Sequence, residues 1–310
     1  MIEIILITYN RVRKLRDTLN ALIASDLSEL KITVLDNCSD DGTSEYLLDT
    51  LHSGSLNFTY IRHPVNIGAS ANTMRAYEIA TENYVWIICD DDVYDFSAFK
   101  DVQDLLKCEQ PDILVVGSPS RSSIQELFPF MTEKMLCASE LSETRLPILL
   151  TFLPAAIIKT KKLKSCDFRI GYALSHTLFP QFFWISRMLD ENWTVYVMPK
   201  FAITRPDTGQ DKLSDFIHMN GYLGGVSSIK DMALRCHSSN LYLGNGHISY
   251  TISLTKTLLK DRLLGRLTLD NYFEHLKYLK GIRIACFMMA ALALLIPNYF
   301  VTLLFKKRMT

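Results

Sequence analysis

The sequence predicts an α/β fold, a mostly parallel sheet flanked by helices that continues into a helical carboxyl-terminal extension. Three observations carry the prediction. Short β-branched and apolar runs alternate with stretches of helical apolar spacing through residues 1–117, and such alternation implies parallel strands joined by right-handed crossovers. A polar cluster follows each of the first four strand candidates, at the strand ends where ligands bind in sheets of this kind. From residue 211 onward helical patterns dominate, and the last of them is strongly apolar.

The elements follow in order. Ile2 to Thr8 is the first strand, and Thr8-Tyr9-Asn10-Arg11 leads into a helix over Arg11 to Ala24. A second strand, Ile32 to Leu35, runs into Asp36-Asn37-Cys38-Ser39-Asp40-Asp41-Gly42-Thr43 and a helix over Thr43 to Leu51. Phe58 to Ile61 is the third strand, followed by His63 to Gly68 and a helix over Ala69 to Ala80. The fourth, Tyr84 to Ile88, ends on Asp90-Asp91-Asp92 before a helix over Phe96 to Leu106, and Ile113 to Val116 is the fifth. Residues 118–210 form a less regular second half: a loop over Ser118 to Ser123, a strand over Leu153 to Ile158, a helix over Ser175 to Leu189, and strand material from Thr194 to Thr204 broken at Pro199. Residues 211–310 are the helical extension, with an apolar segment at 284–305.

Composition narrows the class. With 310 residues, 48% hydrophobic and 21% charged, the chain is globular and long enough for a real core. A net charge of zero speaks against a general nucleic-acid binder. The charge is uneven, however: ten basic and three acidic residues follow from Lys256 onward, against 23 and 30 before it. A basic tail of this kind suits an anionic surface such as a membrane, or simply a solvated helix face. Seven cysteines without C-x-x-C or alternating Cys/His spacing indicate neither a disulfide framework nor a zinc site, which fits a reducing compartment. Met1 leads straight into the first strand with no signal-peptide pattern, so a cytoplasmic location is expected.

The three carboxylates Asp90, Asp91 and Asp92 directly follow the apolar run Val85-Trp86-Ile87-Ile88-Cys89. Adjacent acids at the end of a buried strand repel one another unless a cation or hydrogen bonds offset the charge. Hard oxygen donors in this number suit Mg²⁺ or Mn²⁺, which take further oxygens from a substrate diphosphate. The plainer alternative is a solvated acidic turn capping the next helix. Convergence of four polar segments on one sheet edge favours a site.

No G-x-G-x-x-G follows the first strand and no P-loop occurs, so a phosphate must be held by metal and side chains. Ile7-Thr8-Tyr9-Asn10-Arg11, the segment Val34 to Thr43, Asn66-Ile67-Gly68 with Asn72, and Asp90-Asp91-Asp92 together resemble the inverting GT-A-fold glycosyltransferases of family 2. The resemblance implies a Rossmann-like GT-A sheet, a nucleotide diphosphate sugar donor and a divalent metal, Mg²⁺ or Mn²⁺. By that resemblance Thr8, Asn10, Arg11 and Asp36 meet the nucleotide. Asn66 and Gly68 shape a tight connection, and Asn72 faces the nucleotide one helical turn on. Asp90 lies on the ribose or diphosphate side, and Asp91 and Asp92 hold the metal, through which Asp91 serves catalysis. Asp36 can equally begin an Asx turn, and Asp40 and Asp41 read as turn and cap residues. Ala71 stands where the family commonly has Arg, and Cys89 where it often has the first acid of D-x-D-D.

The second half resembles the abequosyltransferase-like enzymes of O-antigen assembly, through Ala156-Ile157-Ile158-Lys159, Phe179-Pro180-Gln181-Phe182, Val195 to Lys200 and Ile203-Thr204-Arg205. The broader family carries a Glu-Asp pair near the start of that helix, whose Asp deprotonates the acceptor hydroxyl. Here Pro180-Gln181 stands instead, and Gln has no basic site. His176 is the nearest titratable substitute, or else a surface or core histidine. Arg205 suits a diphosphate clamp or a structural pair with Asp207.

Ile284 to Phe305 is a charge-free run of 22 residues between Arg283 and Lys306-Lys307-Arg308. As a helix it would be about 33 Å long, against a hydrocarbon core of about 30 Å. Pro297-Asn298 interrupts it and both flanks are basic, which favours a segment lying in the cytoplasmic interface over a span or a core helix. The expectation is a metal-dependent glycosyltransferase acting on a lipid-linked glycan acceptor, peripherally bound to the inner face of the cell membrane. Two rivals are a nucleotide-sugar-binding protein of the same fold without turnover, which Gln181 supports, and a sugar-phosphate nucleotidyltransferase, against which Thr8-Tyr9-Asn10 speaks.

Overall fold

Ile2–Thr8 (β1) is apolar on both faces, and Ile4, Ile5 and Leu6 are wholly buried, as expected of a central strand covered on both sides. Lys31–Asp36 (β2), Thr59–Arg62 (β3) and Tyr84–Cys89 (β4) complete a parallel core in the order β3-β2-β1-β4. The computed structural model describes residues 1–25, 30–94, 96, 99–118, 135–137, 150, 152–175, 179–198 and 203–204. The sheet continues from β4 through Ala156–Lys159 (β9), Ile113–Val115 (β6), Thr194–Val197 (β10) and Met135–Cys137 (β8). Val93–Tyr94 (β5), Gly117–Ser118 (β7) and Ile203–Thr204 (β11) make a small second sheet in the order β5-β11-β7.

The expectation of a mostly parallel sheet flanked by helices is met, with a mixed second half. β9 runs antiparallel to both neighbours, β4 and β6, and β8 antiparallel to β10. The expected strand over Leu153 to Ile158 is corrected: Leu153–Ala155 is a 3-10 turn containing Pro154, and pairing begins at Ala156. The expected helix over Ser175 to Leu189 is Phe182–Asp190 in the structure, entered by a turn at Pro180. The expected strand material from Thr194 to Thr204 divides between two sheets as β10 and β11, and of the expected loop over Ser118 to Ser123 only Ser118 is described, as the end of strand β7.

Four helices serve the first half. Val12–Ala24 (α1) buries Leu15, Thr18, Leu19 and Leu22 along one stripe. Thr43–Ser53 (α2) is entered and left by glycines with positive φ, Gly42 and Gly54. Ala69–Ile79 (α3) begins after Gly68, also at positive φ, and Phe99–Cys108 (α4) buries Phe99, Val102 and Leu106. Thr160–Lys164 (α5), Phe168–Ala173 (α6) and Phe182–Asp190 (α7) lie in the second half. Asp167 caps α6 through a hydrogen bond from Arg169 N.

The core beneath the fourth strand is aromatic. Trp86 is wholly buried, its indole N–H donates to Pro154 O at 2.9 Å, and its ring packs against Tyr94, Phe96 and Phe99. These contacts fix the strand that carries the three acids. Among the described residues no helix is long and apolar enough to cross a membrane, and residues 284–305 lie outside them.

Candidate active site

The parallel pairing aligns the carboxyl ends of β1, β2 and β4. Thr8 lies opposite Asp36, and Ile7 opposite Cys89. The three loops that follow are therefore neighbours, although Thr8 and Asp90 are 82 positions apart.

Asp90 sits at the centre, 4% exposed. Its Oδ2 accepts from Thr8 Oγ1 at 2.7 Å and its Oδ1 from Arg11 Nη1 at 3.1 Å. The same Arg11 nitrogen lies 2.8 Å from Asp91 Oδ2. Burial raises the Asp90 carboxyl to about 6, with the Asp91 charge adding to the rise, while the Thr8 hydrogen bond and the Arg11 charge pull it down. For Arg11, burial works to lower its pKa, but Asp91 and Asp90 outweigh it and the guanidinium is held further into its charged form.

Beside this pair lies a second donor group. The Sγ of Cys89 and one carboxylate oxygen each of Asp91 and Asp92 fall within 4.8 Å of one another. The two hard carboxylate oxygens so close suit a divalent cation such as Mg²⁺ or Mn²⁺, and the sulfur beside them would ligate it only as thiolate. Burial, together with the charges of Asp92, Asp91 and Asp90, pushes the Cys89 thiol well up. The Tyr94 hydroxyl accepts from Cys89 N at 2.9 Å and donates to Cys89 O at 2.8 Å, which pins the strand end from which the acids project.

The loops after β1 and β2 are stitched together through Asn10, whose positive φ of 50° an asparagine tolerates. Its backbone N–H donates to Ser39 Oγ at 2.9 Å, and its Oδ1 accepts from Asp40 N at 2.8 Å. Asp41 accepts from Val12 N and from the Thr43 hydroxyl, so the expected capping role is what its side chain performs at the start of α1 and α2.

Asp36 is wholly buried. Its Oδ1 accepts from Ser39 N at 2.9 Å and Ser39 Oγ at 2.6 Å, and its Oδ2 accepts from Tyr60 OH at 3.0 Å and lies 3.5 Å from Arg62 Nε. The Asp36 side chain bonds the backbone three residues on rather than the two of an Asx turn, and four donors address a group with about four acceptor sites. Asn66 Oδ1 accepts from Asn37 Nδ2 and from Gly68 N, both at 2.8 Å, which shapes the entry to α3. Asn72 is buried with its Oδ1 3.0 Å from His63 Nε2.

The structure therefore brings Thr8, Arg11, Asp90, Asp91 and Asp92 into one group, joins Asn10 to Asp36 through Ser39, and ties Asn66 to Asn37 and Asn72 to His63. His176, Arg205 and Asp207 lie outside the described residues. Gln181 immediately precedes α7 and is 2% exposed. Sequence reasoning missed Tyr60, Arg62 and His63. Their signal was position: Arg62 faces Asp36 in the β2–β3 register.

The family model described as Glycosyl transferase family 2 matches residues 3–173, which contain all of the side chains just described except Gln181. The chain is 25% identical over 184 residues to the abequosyltransferase RfbV of Salmonella typhimurium strain LT2, covering 53% of this chain and 54% of that protein, so it spans about half the length of that curated relative. Among solved structures, residues 1–349 of S. aureus TarS in complex with UDP-GlcNAc are similar at a TM-score of 0.67 and 17% identity, over 93% of this chain and 83% of that one. The mannosyltransferase PcManGT from Pyrobaculum calidifontis, in complex with GDP-Man and Mn²⁺, is similar at a TM-score of 0.57 and 14% identity, over 99% and 88%. At these identities the likeness is one of fold, and the fold is GT-A-like.

Proposed function

This chain belongs to glycosyl transferase family 2, and from that premise we propose that it transfers a sugar, with inversion, from a nucleotide diphosphate sugar to a hydroxyl of a lipid-linked glycan during assembly of a surface polysaccharide of the O-antigen type. The observation that carries the reading is the meeting of Thr8, Arg11, Asp90, Asp91 and Asp92 at the carboxyl edge of the sheet. The relative named as an abequosyltransferase and the neighbours bound to UDP-GlcNAc and to GDP-Man with Mn²⁺ support the donor class.

Asp91 and Asp92 would hold Mn²⁺ or Mg²⁺, beside the sulfur of Cys89. When bound, the cation offsets the charge that develops on the leaving diphosphate. Thr8 and Arg11 fix Asp90 beside the ribose and diphosphate, Asn10 and Asp36 shape the base side, and Asn66 and Asn72 order the neighbouring loop. Arg205 pairs with the diphosphate. His176 takes the acceptor proton, since Gln181 cannot. The apolar segment at 284–305, with its basic flanks, lies in the cytoplasmic membrane interface, where a lipid-linked acceptor is found.

The test is a thermal-shift panel of nucleotide diphosphate sugars with and without Mn²⁺, followed by transfer to a lipid-linked acceptor. With Mn²⁺ one donor should stabilise the wild type by about 3 to 4 kcal/mol at saturating excess, clearly more than it does without metal. Asp91→Ala and Asp92→Ala should lose that stabilisation and the transfer. Donor stabilisation in both variants with unaltered Mn²⁺ dependence would remove the metal role. Donor binding without transfer to any acceptor would make the protein a nucleotide-sugar binder.

A further inference from the structure

We propose that Arg11 is the resident counter-cation of the acidic turn, competing with the divalent metal for Asp91 until a diphosphate takes over the guanidinium. The inference rests on the metal role proposed above and adds the order of assembly.

Three features carry it. A single Arg11 nitrogen bridges Asp90 Oδ1 at 3.1 Å and Asp91 Oδ2 at 2.8 Å, so one cation spans both carboxylates. The two partners differ, since Asp90 is 3% exposed at its side chain and tied to Thr8, whereas Asp91 is 30% exposed and shares the donor group with Cys89 and Asp92. Asp90 is the fixed partner and Asp91 the exchangeable one. Arg11 itself cannot retreat far, because it is the residue immediately before α1: its carbonyl accepts from Leu15 N and the adjacent Val12 N–H is held by Asp41.

A divalent ion entering between Asp91 and Asp92 would thus stand within a few ångströms of a guanidinium, and two cations at that separation repel in a partly desolvated site. An incoming diphosphate reverses the balance. It offers the planar guanidinium two phosphate oxygens, a bidentate partner that arginine is built to pair with, and frees Asp91 for the metal. Metal and donor therefore bind with positive coupling, and in the empty site the guanidinium offsets part of the acidic turn's charge.

The test measures Mn²⁺ alone on the full chain, by electron paramagnetic resonance of the free ion, in wild type, Asp90→Asn, Arg11→Gln and the double variant Arg11→Gln/Asp90→Asn. The double variant removes the buried carboxylate that Arg11→Gln leaves unpaired, and so keeps the fold testable. Arg11→Gln should bind Mn²⁺ on the order of tenfold tighter than wild type, and the double variant, which also loses a negative charge, should gain less. Inorganic pyrophosphate without metal should bind wild type and lose affinity in both. Mn²⁺ binding no tighter in Arg11→Gln than in wild type, and no tighter in the double variant than in Asp90→Asn, with wild type binding Mn²⁺ measurably, would overturn the competition and leave the metal role standing. If no protein bound Mn²⁺, and Asp92→Ala changed nothing, the metal role and the competition would fall together.

Discussion

Asp90 and Glu3 are two buried carboxylates on neighbouring strands with opposite tasks. Glu3, 1% exposed, is fully engaged: Lys31 Nζ lies at 3.2 Å and Thr81 N donates at 2.8 Å, at the end of the sheet away from the site. Asp90 faces other acids, and its carboxyl is raised from an ordinary 3.8 to about 6. Between those two values the folded chain holds a proton that the unfolded chain has lost. Stability from this group is therefore complete below about pH 4 and falls as pH rises through 6, a loss of about 2 to 3 kcal/mol. The metal-free protein should melt at a higher temperature at pH 5 than at pH 7, and Asp90→Asn should flatten that dependence. A melting temperature that rises from pH 5 to pH 7 by an amount Asp90→Asn removes would show the opposite sign.

At the scale of elements, α3, α6 and α7 meet at Gly171, where a Cβ would overlap the Met74 thioether and touch the Phe183 ring. Phe168 and Tyr77 also pack on Phe183, so the gap left by the glycine is what allows the helices to approach. Gly171→Val should cost about 1 to 3 kcal/mol in urea denaturation, while Gly171→Ala should cost less because the end of a methionine can move. The first four strands and helices were legible in the sequence because apolar runs and stripes were uninterrupted, and their bounds differ from expectation by at most three residues. The direction of β9 was not, since an apolar run reads the same either way. Strand β8, of three residues, is too short to signal itself, and α6 depends on a single cap at Asp167. For the site, the four polar clusters were legible through the rule that places ligands at strand ends. The partners of Asp36 were not, because Tyr60 and Arg62 reach it only once the β2–β3 register is set.

On the scale of the whole molecule, the donor side and the basic, apolar tail belong to one proposal: chemistry at a strand edge, delivered to a membrane surface. Removing residues 284–310 should move the protein from the membrane to the soluble fraction while Mn²⁺-dependent donor stabilisation persists. An aggregated product that no longer binds donor would identify the segment as core. The sheet adds a constraint of a different kind. All the pairings among β3, β2, β1 and β4 lie within the first 89 residues, but the outer edge of β4 is closed only by β9, Ala156–Lys159. During synthesis the strand that carries the acidic turn must therefore wait, its outer hydrogen-bonding edge open, until the second half has left the ribosome. A nascent chain stalled before Ala156 would hold every side chain of the acidic turn and still display a sticky, unpaired border, which makes the early chain a natural client for chaperones.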